Sequence, residues 1–140
     1  MKTSELFDEK LDWAVSYALG HNPMKDFHSH GMTWRGWWET TSYIDTKPNE
    51  YRRVPRYSIN WEQGGPIIER EGIAIDCLRT CGQIDGWIAA TEQLMEDTED
   101  EYSVPIEFHG PTPLIAAMRC YVASKLGDEV DIPKELLGEQ

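Results

Sequence analysis

The pattern of apolar and polar positions predicts a helix near each end of the chain and short extended segments between them. Residues 110–127 give the clearest element. Leu114, Ile115, Met118, Val122 and Leu126 recur at helical spacing, and Ala116, Ala117, Cys120 and Ala123 keep the remaining surface small. Thr112 suits the N-cap, Pro113 the first helical position and Gly127 the stop. A helix this apolar is expected to sit in the core. Its N-terminus is a poor anion site, because Pro111 and Pro113 each lack an amide donor.

Residues 4–19 predict a first, amphipathic helix. Phe7, Leu11, Ala14, Val15 and Ala18 lie on one face, Ser4 or Thr3 serves as the cap, Gly20 as the stop, and Trp13 and Tyr17 stack on the flank. Residues 21–32 read as a loop. Met32–Ile44 is rich in β-formers, with Trp34 and Trp38 on one strand face and Trp37 on the other. Residues 45–55 read as a long polar loop and Tyr57–Trp61 as a half-buried strand. Gly64-Gly65-Pro66 reads as a turn, followed by one or two strands through Ile67, Ile68, Ile73 and Ile75. Gly86–Thr91 and Val104–Phe108 complete the set, and the tail holds a loop and one helical turn. The order helix, strands, helix predicts an α+β fold: a small antiparallel sheet packed by an N-terminal and a long C-terminal helix, forming one domain over residues 1–140.

Composition narrows the functions. Six tryptophans and 40% hydrophobic residues favour a packed core. The formal charge of −12 opposes non-specific nucleic-acid binding, because phosphates would be repelled. Six of the ten residues from Glu92 to Glu101 are acidic, and Arg52, Arg53 and Arg56 form the compact basic patch; both read as solvated loop surface. No apolar run has the length of a membrane span, and Met1-Lys2-Thr3-Ser4-Glu5 leads directly into an amphipathic segment, so the expected compartment is the cytoplasm. Three cysteines, Cys77, Cys81 and Cys120, suit reduced structural thiols.

Three blocks carry a resemblance. They are Met1–Leu6 with Leu11–Val15, then Trp61-Glu62-Gln63-Gly64-Gly65-Pro66-Ile67-Ile68-Glu69, then Gly110–Gly127 running into Asp128-Glu129-Val130-Asp131-Ile132-Pro133. Together they cover roughly half of the chain, at both ends and the middle, and the chain resembles the NinX-like family of small phage and prophage proteins of unknown function. The resemblance implies a phage or prophage origin and expression inside a bacterium. It implies no catalytic residues.

Candidate chemistry is sparse. His28-x-His30 could supply two metal ligands, with His109, His21 or a carboxylate as a third, which would suit a metal-dependent enzyme. Trp61 beside Gly64 and Gly65, with Arg70 or Arg119 for a phosphate, would suit a small-ligand or nucleotide-binding protein. Glu69 and Glu71 would share one strand face, where like charges could raise one pKa. No nucleophile, base and stabiliser assemble in any motif, and no cofactor is implied. The leading expectation is a non-enzymatic accessory protein that binds a bacterial host protein, one version being mimicry of DNA charge by the acidic stretch.

Overall fold

The computed structural model of the chain describes residues 1–41, 50–96 and 101–138. After a 3-10 turn at Thr3–Glu5 come α1 (Asp8–Ala18), β1 (Met24–Ser29), β2 (Met32–Thr41), β3 (Glu50–Arg53), α2 (Trp61–Glu71), β4 (Ala74–Thr80), β5 (Gln83–Glu96), β6 (Glu101–Gly110) and α3 (Pro113–Leu126). The fold is α+β with antiparallel strands, as the pattern predicts. The strands divide between two three-stranded meanders, β1-β2-β3 and β4-β5-β6.

The core is built on α3. Thr112 caps it by accepting from the Ile115 amide at 3.1 Å, with Pro113 in the first turn, and the chain leaves at Gly127 with φ 89°. Leu114, Ala116, Ala117, Met118, Cys120, Tyr121, Val122 and Ala123 are all buried, so nearly every face of the helix is covered. The second sheet covers one side through Ile75, Trp87, Ala89, Ile106 and Phe108. Helices α1 and α2 pack on others. Burial pushes the Cys120 thiol up to about 11, which leaves it protonated and inert as a core side chain. All three cysteines are free thiols.

The N-terminus is pinned beside the end of α3. Thr3 is buried, its hydroxyl donates to Gly127 O at 2.7 Å, and its amide donates to Asp128 O at 2.8 Å. Neither Thr3 nor Ser4 caps α1, which begins only at Asp8, one residue after Phe7. Trp13 and Tyr17 stack at 5.2 Å, as their spacing predicts.

Three segments depart from the expected elements. The segment 21–32, expected as a loop, contains β1 and a hairpin. Its turn is His30-Gly31, with φ of 52° and 74°, the pair of positive angles that a tight two-residue hairpin requires. The segment 45–55, also expected as a loop, contains β3 at its end. Residues 42–49, which include the end of the strand expected to reach Ile44, lie outside the described residues. The largest correction is at 57–71. Tyr57–Asn60 is a turn, and Trp61–Glu71, expected as strand, Gly-Gly-Pro turn and strand, is the helix α2. Asn60 caps it by accepting from the Glu62 amide at 3.0 Å, and Gly72 ends it in the left-handed conformation.

Gly64 is what lets α2 dock. A Cβ at Gly64 would stand 2.6 Å from Leu114 Cδ1 and 2.6 Å from Tyr57 O. Close approach, not a turn, is the use of that glycine, and packing overrides its weak helix propensity. Glu69 and Glu71 therefore do not share a face, because positions two apart on a helix diverge. Gly64→Ala is expected to cost about 1–3 kcal/mol by overpacking against α3. Gly65→Ala, whose Cβ would meet only Trp61 at 3.9 Å, is expected to be neutral or stabilising. Urea unfolding of the two variants checks the contrast; equal losses would contradict it.

Candidate functional site

The site begins with a buried charge. Glu39 on β2 is fully buried, and four groups from separate segments converge on it. Ser16 Oγ of α1 donates to Oε2 at 2.7 Å, and Arg52 Nε of β3 donates to Oε1 at 2.7 Å. The Tyr57 hydroxyl donates to Oε1 at 2.9 Å. His21 Nδ1 stands 3.2 Å from Oε2, in ion-pair range without hydrogen-bond alignment. Burial, then the adjacent carboxylate charge, pushes the Tyr57 hydroxyl well above its ordinary range. Burial pulls Arg52 down, but its bond to Glu39 and the carboxylate charge outweigh that and hold it above its usual value.

Serine, histidine and glutamate lie together here, but not in the order a hydrolase needs. Ser16 is fully buried and bonds the carboxylate, not the imidazole. The arrangement neutralises and locks Glu39; it does not activate a nucleophile.

A second buried carboxylate, Asp12 on α1, accepts the Ser58 amide at 2.8 Å. Since Tyr57 reaches Glu39 and Ser58 reaches Asp12, the segment leading from β3 to α2 is held by both acids. Beside Asp12 a cleft of about 420 Å³ opens between α1 and the first sheet. Asp12 and Trp13 are buried in its lining, Trp37 is half-buried, and Arg53 and Arg56 are exposed at its edge.

The opposite face of the first sheet is aromatic and turned to solvent. Phe27 stacks on Tyr51 at 4.0 Å, Trp34 meets Trp38 edge-on at 6.2 Å, and the Arg53 guanidinium lies 4.9 Å from the Trp38 ring centre. Trp34 is 45% exposed, Met32 57% and Tyr51 40%. With Ser29 and His30 they line a shallow depression of about 480 Å³. Trp37 points the other way and packs against the core. The strand parity of the three tryptophans is the one the sequence predicts.

The residues singled out from sequence fall in several places. Trp61, Gly64, Gly65, Glu69 and Arg70 are all on α2. Trp61 is 53% exposed, and Arg70 pairs with its neighbour Glu71 at 3.3 Å. Arg119 is on α3, where Nε donates to Leu6 O at 2.8 Å and Nη1 to His109 O at 2.9 Å. It lines a different depression, with Ser4, Trp87 and His109, and Trp61 is not in that lining. Burial holds the Arg119 guanidinium below its usual value. His28 bonds Thr33 at 3.0 Å across the hairpin, whereas His30 bonds Ser29 at 2.8 Å in the turn region. Among the described residues no three side chains form a metal-ligating group. Of the acidic stretch, residues 97–100 lie outside the described residues.

Asp12, Glu39 and Tyr57 were not singled out from the sequence, and Arg52 and Arg53, expected on a solvated loop, lie on β3, whereas Arg56 is exposed in the loop after it. One signal was present: Glu39 has the same strand parity as inward-facing Trp37, a position where an acid must find partners.

Two outcomes test these assignments. Glu39→Leu leaves Ser16 and Tyr57 without their acceptor and is expected to cost about 3 kcal/mol or more in urea unfolding, while Glu39→Gln, which keeps an acceptor, costs less. Burial raises Asp12 above its ordinary 3.8, against the opposing bond from Ser58, so the folded chain holds that proton more tightly than the unfolded chain. The contribution of Asp12 is therefore full below its unfolded pKa and falls as pH rises through the raised value. Asp12→Asn keeps an acceptor for Ser58 and removes this titration, so its stability relative to wild type should rise as pH climbs from below the ordinary 3.8 through the raised value. A gap that stays constant over that window would contradict the assignment.

No helix among the described residues is long and apolar enough to cross a membrane. No curated protein matches the chain significantly. A family model described as bacteriophage P22, NinX matches residues 2–125. That span includes both buried carboxylates, the cleft and the aromatic face, and the chain belongs to this phage NinX family.

Proposed function

We propose that this phage protein is a non-enzymatic accessory factor that acts inside the bacterial cell by binding a host protein through the outer face of its first sheet. The observation that carries the reading is the solvent-facing aromatic array of Phe27, Trp34, Trp38 and Tyr51, with Met32 beside it and Arg53 laid over Trp38. Tryptophan, tyrosine, methionine and arginine are the residue types enriched at protein interfaces and their energetic centres. Such side chains facing water together mark a surface that a partner covers.

The chemistry favours a protein as that partner. A net charge of −12 opposes both polyphosphate backbones and anionic lipid surfaces. The fitting surface is apolar, with a carboxylate positioned to meet Arg53. The absence of an activated nucleophile at Ser16, whose hydroxyl is spent on Glu39, supports a binding role over a hydrolytic one.

A photo-crosslinking residue placed at Met32 or Tyr51 during phage growth should yield one discrete adduct with a host protein. The same residue at exposed Ile84, on the second sheet, should not. Trp34→Ala should abolish the Tyr51 adduct while leaving the circular dichroism spectrum unchanged. Absence of an adduct from the face, or equal adducts from Ile84, would contradict the reading.

A further inference from the structure

The cleft between α1 and the first sheet is separate from the aromatic depression, and no residue lines both. Its volume of about 420 Å³ falls within the range of small-molecule sites. Its walls differ in chemistry from floor to edge. Trp13 and Trp37 supply flat apolar surface. Asp12, 5% exposed, places a carboxylate in the lining beside them. Trp13 is 7% exposed, and its indole N–H is buried with no acceptor among the described residues. The edge carries two guanidinium groups, Arg53 and Arg56, with Glu9 as the acidic group beside them.

Gly36 makes room for one of these cations. A Cβ there would stand 2.9 Å from Arg53 Nη1, and the residue has φ +107°, a conformation that other side chains rarely adopt. Its amide is fixed by Asp26 Oδ1 at 3.0 Å, at the bulge where β1 and β2 shift register. Gly36 thus leaves room for the Arg53 guanidinium at the mouth of the cleft, which both residues line.

These features define the ligand by complement. The indoles select a flat ring. The Asp12 carboxylate selects an edge that donates a hydrogen bond. The two arginines select an anionic group, best a phosphate, on the side away from the floor. A purine whose exocyclic amine donates to Asp12, joined through its ribose to a phosphate, satisfies all three. We propose that the cleft binds a purine nucleoside monophosphate, with the base against Trp13 and Trp37 and the phosphate at Arg53 and Arg56. This site lies away from the sequence-derived pairing of Trp61 with Arg119, which the fold places in separate surroundings.

The test is calorimetric titration and thermal unfolding of the full chain with AMP, GMP, adenosine and inorganic phosphate. AMP or GMP should bind with a Kd tighter than about 1 mM and raise the melting temperature. Adenosine and inorganic phosphate should each bind at least about tenfold more weakly than AMP. Arg53→Gln with Arg56→Gln should bring AMP down to the level of adenosine. Asp12→Asn, which keeps an acceptor for Ser58, should weaken AMP and adenosine alike. No binding of AMP or GMP would overturn the proposal. So would phosphate binding as tightly as AMP, which would mark an anion site only, or binding unchanged in both variants. Arg53 also lies over Trp38 on the host-protein face, so Arg56→Gln alone, which should weaken AMP and leave the Tyr51 adduct unchanged, separates the two assignments.

Discussion

The structure depends on two carboxylates that are kept out of water. Glu39 collects hydrogen bonds from α1, β3 and Tyr57, and Asp12 holds the backbone at Ser58. A buried ion pair is weak evidence for net stability, because an apolar replacement can do as well. Its effect here is positional. Each partner of Glu39 comes from a different segment, and the carboxylate geometry permits one arrangement of them. The first sheet is thereby fixed against α1 at a defined distance, and the space left between them is the cleft.

That attachment explains how one strand serves two sides. On β2 the alternation puts Trp37 and Glu39 inward and Trp34 and Trp38 outward. The inward set binds the sheet to the helical body. The outward set gains nothing from the core and is free for recognition. Arg52 and Arg53 repeat the division one strand away, with Arg52 on Glu39 and Arg53 over Trp38. A register slip of one residue would exchange these roles and bury the wrong set, so the Glu39 bonds also hold the pairing in place.

How legible each part was in the sequence follows from whether its cause is local. Helix α3 could be read in full, because cap, first-turn proline, apolar stripe and terminal glycine all lie within one segment. The opposite parity of Trp37 to Trp34 and Trp38 was equally local. Helix α2 was misread, because Gly64 and Gly65 carry turn propensity while the packing of Gly64 against Leu114 and Tyr57 comes from elsewhere in the chain. The β1–β2 hairpin was missed because His30 occupies a turn position usually held by asparagine or glycine. The site itself was the least legible. Asp12 meets Ser58 and Glu39 meets Ser16 and Tyr57, pairs well separated along the chain, and nothing local marks them as partners. Arg52 and Arg53 looked like a solvated patch because charge alone does not reveal strand parity.

The most direct test of the central claim is native-state hydrogen exchange of the first sheet and its tether, followed as a function of denaturant. The amides of Thr40, bonded to His21 O, and Ser58, bonded to Asp12, report on the attachment. The amide of Met118 reports on the buried centre of α3. If the buried carboxylates join the first sheet to the helical body, all three amides should exchange through the same global opening, with the same free energy and denaturant dependence. Exchange of Thr40 and Ser58 through a separate opening of lower energy, with Met118 still protected, would contradict it.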